Sequence, residues 1–323
     1  MKEQSIRGPR HRSRQLGVSL VELMVGLALG MFIVAGLGYL YVGSVQVFRA
    51  LEASSRVQEN VRYAFERIST DVRMTGHTGC SWRTQANVLN GSDHWSIDLF
   101  NRPVRGFEDS AAAFPAEFAA GRQAGDALVV LRADTSREYI IDEHNPSAAS
   151  MTLMAAHDLV PGQIVVATDC SRHAALFQLS NANGANKTLV HNTGNSVSPG
   201  NCSKGLGSPV VCTSLGTSYE FTRGSRLFRL SGAAYYIGLN AAGERTLYRQ
   251  AVVAAGGNSQ LAPQEVLSGI EDMQVRYGVD TSPTPDGSVD LYTTADQVIV
   301  EAPGTNDDER WRRVLAVRIS LVA

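Results

Sequence analysis

The sequence predicts an α+β fold, in which a long N-terminal helix, hydrophobic first and amphipathic later, packs on an antiparallel β-rich C-terminal domain. Three observations predict it. Residues 18–48 contain one charged side chain, Glu22. Val57, Val61, Ala64, Phe65, Ile68 and Val72 then recur at three- and four-residue spacing with no proline between them, the pattern of a helix with one buried stripe. Far downstream, Met273, Val275, Tyr277 and Val279 alternate with Gln274, Arg276 and Gly278, while Val317, Ile319 and Leu321 alternate with Arg318 and Ser320. A period of two puts one face of a strand in the core and the other in water, as antiparallel sheets allow.

The helix divides into two parts. Its first 31 residues, 18–48, rise about 1.5 Å each, or about 46 Å, more than a hydrocarbon core of about 30 Å requires. The second part, residues 49–75, offers Glu52 with Arg56 and Glu59 with Arg62 at ion-pair spacing on its polar side. Gly76 and Gly79 are expected to stop the helix near Met74. Ahead of the apolar stretch stand Lys2, Arg7, Arg10, Arg12 and Arg14 against the single acid Glu3. Positive charge on that flank predicts a single-pass membrane protein whose N-terminus stays in the cytoplasm and whose domain from residue 76 onward lies on the far side.

The domain of residues 76–323 is expected to be strands and turns, with strands at 127–133, 138–142, 150–154, 163–168, 174–179, 218–222, 226–230, 235–239 and 246–252 ahead of the two alternating ones. Residues 181–216, rich in Asn, Gly and Ser, read as a long surface loop. No Gly-x-Gly-x-x-Gly or βαβ rhythm appears, which argues against a nucleotide-binding parallel sheet.

Composition narrows the function classes. With 44% hydrophobic and 19% charged residues the chain has a globular balance, and a formal net charge of −2 predicts no attraction to nucleic acid. Cys80, Cys170, Cys202 and Cys212 all fall in the exported part, where an even number favours disulfides, and three pairings are open. Placement favours Cys202 with Cys212, a local staple inside the loop, which leaves Cys80, just past the helix, for Cys170 at a strand end. The histidines at 11, 77, 94, 144, 157, 173 and 191 form no His-Glu-x-x-His and read as isolated surface residues. Asp280, Asp286 and Asp290, and the run Asn306-Asp307-Asp308-Glu309, read as solvated acidic turns rather than calcium loops. Gly-x-Ser-x-Gly and a P-loop are both missing, so neither an enzymatic activity nor a cofactor is expected.

An ordinary secretory signal has a short apolar stretch followed by a small-residue cleavage site. Here the apolar stretch is twice as long and the break precedes it, in Gln15-Leu16-Gly17-Val18-Ser19-Leu20-Val21-Glu22. This resembles the type III signal of type IV prepilins, with Val18 where most members carry Phe. The resemblance implies removal of the basic leader, residues 1–17, by a prepilin peptidase that cuts between Gly17 and Val18, and N-methylation of the new terminus. A carboxylate inside an apolar helix costs about 2.5–3.5 kcal/mol. Glu22 either snorkels to the headgroups or, as in the resembled family, meets the α-amine of Val18 on a neighbouring subunit and sets its register; the flanking motif favours the second reading.

A closer resemblance lies further on. Gly269-Ile270-Glu271-Asp272-Met273-Gln274-Val275-Arg276-Tyr277-Gly278-Val279-Asp280, the run Trp311-Arg312-Arg313-Val314-Leu315-Ala316-Val317-Arg318-Ile319-Ser320-Leu321, and Thr168-Asp169-Cys170 with Phe177 are similar to PilW-type minor pilins. That implies a type IV pilin-like fold and a subunit that joins other minor pilins in a complex priming pilus assembly at the tip. Its partners would be those minor pilins, the major pilin, the prepilin peptidase and the inner-membrane assembly platform. The expected location is the bacterial inner membrane, with the exported domain in the periplasm, and afterwards the pilus. A type II secretion pseudopilin shares the leader and helix, and a membrane-tethered periplasmic enzyme or receptor would need a polar catalytic cluster that is not visible.

Overall fold

The computed structural model describes residues 17–80, 83–109, 114–115, 121–194, 196–255 and 258–322. The chain divides into two compact units, Met1–Asn60 and Val61–Ala323. The basic leader expected at residues 1–17 lies outside the described residues except for Gly17.

Helix α1 runs unbroken over Leu20–Arg73. Within the first unit none of its residues is buried: Leu20, Phe32 and Tyr39 are 75%, 77% and 83% exposed. The helix is long and apolar enough to cross a membrane by length and composition. Glu52 and Arg56 form the expected i,i+4 pair at 2.6 Å. In the second unit the amphipathic stripe takes hold, and Ala64, Ile68 and Asp71 are buried. The helix stops where Gly76, at φ +75°, donates its N–H to the carbonyl of Leu131 at 2.9 Å. Gly79, at φ +92°, lies so close to the Phe228 ring that a Cβ would collide with it.

Among the described residues, fourteen strands and two short helices follow. They are β1 (Thr84–Asn87), β2 (Val104–Phe107), β3 (Arg122–Asn145), β4 (Ser150–Leu153), β5 (Ile164–Thr168) and β6 (His173–Gln178). Then come β7 (Asn181–Asn183), β8 (Thr188–Val190), β9 (Arg226–Leu239), β10 (Arg245–Ala255), β11 (Asn258–Ser268), β12 (Asp272–Val279) and β13 (Leu291–Thr293). Helices α2 (Ala295–Glu301) and α3 (Asp307–Trp311) precede β14 (Val314–Val322).

The strands form two sheets. The large one has the path β1-β6-β5-β9-β3-β4-β8-β7, with β2 on β3 and the β10–β11 hairpin on β9; the small one is β13-β12-β14. Pairing is antiparallel apart from β1 with β6, and the α+β expectation holds. In the central strands both faces are buried. Leu128 and Val130 of β3 and Tyr235 and Ile237 of β9 face one core, shared with Ala64, Ile68 and the β12 side chains. Ala127, Val129 and Leu131, with Ala234 and Tyr236, face another, which Trp95, Leu99 and Phe100 cover. That is why residues 127–131 read as an unbroken apolar run.

Several expected breaks are absent. The two strands predicted at 127–133 and 138–142 are one, because the polar residues 135–138 bulge outward between Asp134 and Tyr139 without ending the pairing with β9. Those predicted at 226–230 and 235–239 also merge. Gly232 between them is no turn but a point where Leu131 and Val252 leave no room for a side chain. Residues 218–222 form no strand; an isolated bridge from Leu206 to Ser218 and the Tyr219 N–H bond to the Gly205 carbonyl at 2.7 Å help to hold them. The loop expected over 181–216 carries β7 and β8, and the domain includes α2 and α3 where only strands and turns were expected.

Candidate functional site

The N-terminal site is assembled from consecutive residues. Gly17 and Val18 are exposed and precede the helix, and among the described residues beyond its chain neighbours no atom lies within 4 Å of where a Gly17 Cβ would stand. Ser19 is the cap: its carbonyl accepts the first helical bond from Leu23 N–H at 3.1 Å, and its Oγ accepts from Val21 N–H at 3.3 Å. Glu22 reaches back, its Oε2 accepting from the Ser19 N–H at 3.0 Å. These bonds make a variant of the capping box, with the Ser19 hydroxyl on the Val21 N–H rather than on that of Glu22; they satisfy backbone donors left over at a helix start, and the carboxylate also suits the positive end of the helix dipole. Neither sequence reading of Glu22 includes this role. The Ser-x-x-Glu spacing carries the signal for it.

Both disulfides lie in the second unit. Cys80 is bonded to Cys170 across 90 residues, with Cα atoms 5.1 Å apart. Cys202 is bonded to Cys212 across 10 residues. The Thr168-Asp169-Cys170 motif has a local reason. Oδ1 of Asp169 accepts from the N–H groups of Ser171, Arg172 and His173, at 3.0, 2.7 and 2.9 Å, and its Oδ2 accepts from the Tyr219 hydroxyl. Burial raises this carboxyl, but those four donors outweigh it and hold it well below the usual carboxylate range. The turn they fix sets Cys170 at φ +60°, beside the segment that leaves the helix. The stretch carrying the second disulfide is also tied down. Asn201 exchanges bonds of 2.8 Å with the Gln178 backbone, and Cys202 N–H donates to Val88 at 2.7 Å.

The helix is locked to the sheet by a buried ionic cluster that the sequence reading missed. Asp71, 1% exposed, accepts from the Tyr235 hydroxyl at 2.7 Å and from Arg249 Nε at 3.1 Å, with Arg132 Nη2 at 3.3 Å. Burial pushes the carboxyl up, and the Tyr235 bond and the two guanidiniums pull it further down, to a net value below the ordinary one.

Four histidines are not the surface residues expected: His144, His157, His173 and His191 are buried. His144 Nδ1 accepts from the Phe221 N–H at 3.1 Å, so its Nε2 carries the proton and donates to His191 Nε2, also at 3.1 Å. Asp280 is likewise no solvated turn residue. It is buried and accepts from the N–H groups of Ser282, Asp286 and Gly287. Asn306 caps α3 by accepting from Glu309 N–H at 3.0 Å, so the second acidic run opens a helix. Among the described residues, no group of three or more His, Cys, Asp or Glu side chains is arranged to hold a metal ion.

Two family models match parts of this chain, one at the exposed apolar helix that follows the glycine junction and one in the disulfide-bonded β-rich domain. Residues 12–38 match the model of the prokaryotic N-terminal methylation motif, and residues 234–323 match that of the type IV pilus-assembly protein W family. Together these are the matches of a PilW-type pilin, related to the type IV pilus. No curated protein and no solved structure matches the chain. The second match spans β10 to β14 and the last six residues of β9, and so takes in Tyr235, Arg249, the β12 core residues and Trp311.

Proposed function

We propose that this chain is a minor pilin that joins other minor pilins in a complex priming type IV pilus assembly, and that this complex sits at the tip. The observation that carries the proposal is the occurrence on one chain of a prepilin-type terminus and a PilW-type C-terminal region. In this reading the protein does no chemistry. A prepilin peptidase cuts after Gly17, Val18 becomes the methylated terminus, and α1 holds the subunit in the inner membrane with its β-rich domain in the periplasm. An assembly platform then lifts it into the filament beneath which the major pilin is added. The Cys80–Cys170 bond and the Asp71 cluster support this reading, since both fix the last turns of α1, within the second unit, and the segment that follows them to the sheet.

Deleting the gene and counting surface pili tests the proposal. Piliation should fall sharply and return with the wild-type copy, and labelled protein in sheared filaments should lie at one end. Normal piliation in the deletion strain, or label along the whole shaft, would overturn it.

A further inference from the structure

β14 is an edge. It pairs with β12 from Asp272↔Val322 to Val279↔Val314, and among the described residues no strand pairs with its other side. Exposed edges present a row of unpaired N–H and C=O groups, and proteins blunt them with proline, lysine, bulges or short length. The β11 edge is blunted in that way, by Pro263. β14 has one irregularity, the extra residue Leu315 between the pairs Val279↔Val314 and Gly278↔Ala316, but from Ala316 to Val322 its register is regular, it holds no proline or lysine, and it carries one charge, Arg318.

A groove of about 910 Å3 lies beside the first half of this strand. Phe65, Ile68 and Val72 of α1 face it, as do Phe100, Val314 and Val317. Two arginines, Arg73 and Arg312, complete the lining with no carboxylate among its residues. Both are exposed, and Arg312 donates to Asn101 at 2.7 Å. Val317, Ile319 and Leu321 remain half-buried although they point toward the core.

We infer that the β14 edge and its groove receive an extended, acidic segment of a different polypeptide, which adds a strand to the small sheet. The edge dictates the conformation, because only an extended backbone satisfies a row of alternating donors and acceptors. The groove takes the inward side chains, which are apolar, and Arg73 and Arg312 select carboxylates at its rim. A second copy of this chain fits poorly. Arg318 is the central residue of β14, so two such strands paired antiparallel about their centres set Arg318 against its own copy, and like charges directly opposite are destabilising. The inference stands on the strand edge and holds whether or not the protein primes pili.

The test is fluorescence anisotropy on the detergent-solubilised full chain with two labelled peptides. One alternates valine with glutamate and threonine, and its twin has lysine for glutamate. The glutamate peptide should bind about tenfold tighter than the lysine twin, the effect of two favourable charge pairs. The double variant Arg73→Glu, Arg312→Glu should reverse that preference while still unfolding cooperatively, since both positions are exposed and the change costs only the Arg312 bond to Asn101 and a favourable charge at the end of α1. Hydrogen exchange should show new protection in residues 314–322 when peptide is bound. Absence of binding by either peptide, a preference that survives the double variant, or protection that appears on β11 instead would overturn the inference.

Discussion

Asp71 and Tyr235 lie 164 residues apart in sequence, and the tyrosine hydroxyl donates a 2.7 Å hydrogen bond to the aspartate carboxylate in the interior of the domain. One is the last buried residue of α1, the other the middle of a central strand. Around them Arg249, nearly as buried, and Arg132 supply the countercharge. Removing one partner from a buried ion pair leaves an uncompensated charge, at a cost of about 3–5 kcal/mol. Asp71→Ala should therefore lower stability by that order, with two arginines left unpaired. Tyr235→Phe removes one donor to that buried carboxylate and should cost about 1.5–3 kcal/mol, less than loss of the carboxylate itself. Chemical denaturation of the detergent-solubilised chain measures both, and equal effects would deny Asp71 its central place.

The buried histidines predict a dependence on pH. Burial lowers His144 from an ordinary value of 6.5 to about 4; burial and then the neighbouring His144 lower His191 to about 3. As pH drops below about 6.5 the unfolded chain takes up protons at these positions while the folded chain does not. Stability should thus decline steadily from pH 6.5 to about pH 4. It should cease to depend on this pair below about pH 3, where both states are protonated. Asp71 acts in a separate window. Its carboxyl is depressed, so its contribution is whole above its unfolded value near 3.8 and disappears only as pH falls through the folded one. Denaturation midpoints across pH 4–7 check the first window, and His191→Gln should flatten the slope there.

How much of this was legible in the sequence depended on the range of the forces involved. Val57 to Val72 and Met273 to Val279 were readable because a single face repeats at a fixed period. The box of Ser19 and Glu22 is equally local and could have been read from spacing alone. Asp71 could not: it looks like one more polar residue on a helix until Tyr235, Arg132 and Arg249 are brought to it by three different strands. The buried pair of His144 and His191 is hidden for the same reason, since nothing near either residue in sequence announces the other. The break expected between the strands at 226–230 and 235–239, where Gly232 lies, failed in the opposite direction. A glycine between two apolar runs signals a turn, and here it marks close packing against Leu131 and Val252.

The two disulfides should differ in their worth. Bridging 90 residues removes more freedom from the unfolded chain than bridging 10, and chain-entropy reasoning gives about 4.6 against about 2.8 kcal/mol. Cys80→Ser with Cys170→Ser should therefore lower the denaturation midpoint more than Cys202→Ser with Cys212→Ser. The Asn201 bonds to Gln178, which do not need the second disulfide, should keep its loop folded. A larger loss from the second pair would mean that the loop rests on its staple rather than on those bonds.

Glu22 now has a role inside its own helix and a proposed one outside it, and one pair of variants separates them. Glutamine at this position can still accept from the Ser19 N–H, so Glu22→Gln preserves the box and removes only the charge. Glu22→Ala removes both, and loss of a cap costs about 0.5–2 kcal/mol. If the carboxylate also meets the Val18 amine of a neighbouring subunit, freed by cleavage after Gly17, the charge itself is required. Both variants should then be cleaved and reach the membrane at normal levels, yet both should be depleted from sheared filaments, as counted by quantitative mass spectrometry. If capping is all that Glu22 does, Glu22→Gln should enter filaments like the wild type while Glu22→Ala does not. That outcome would withdraw the intersubunit pairing and leave the capping box as the reason for a carboxylate at this position.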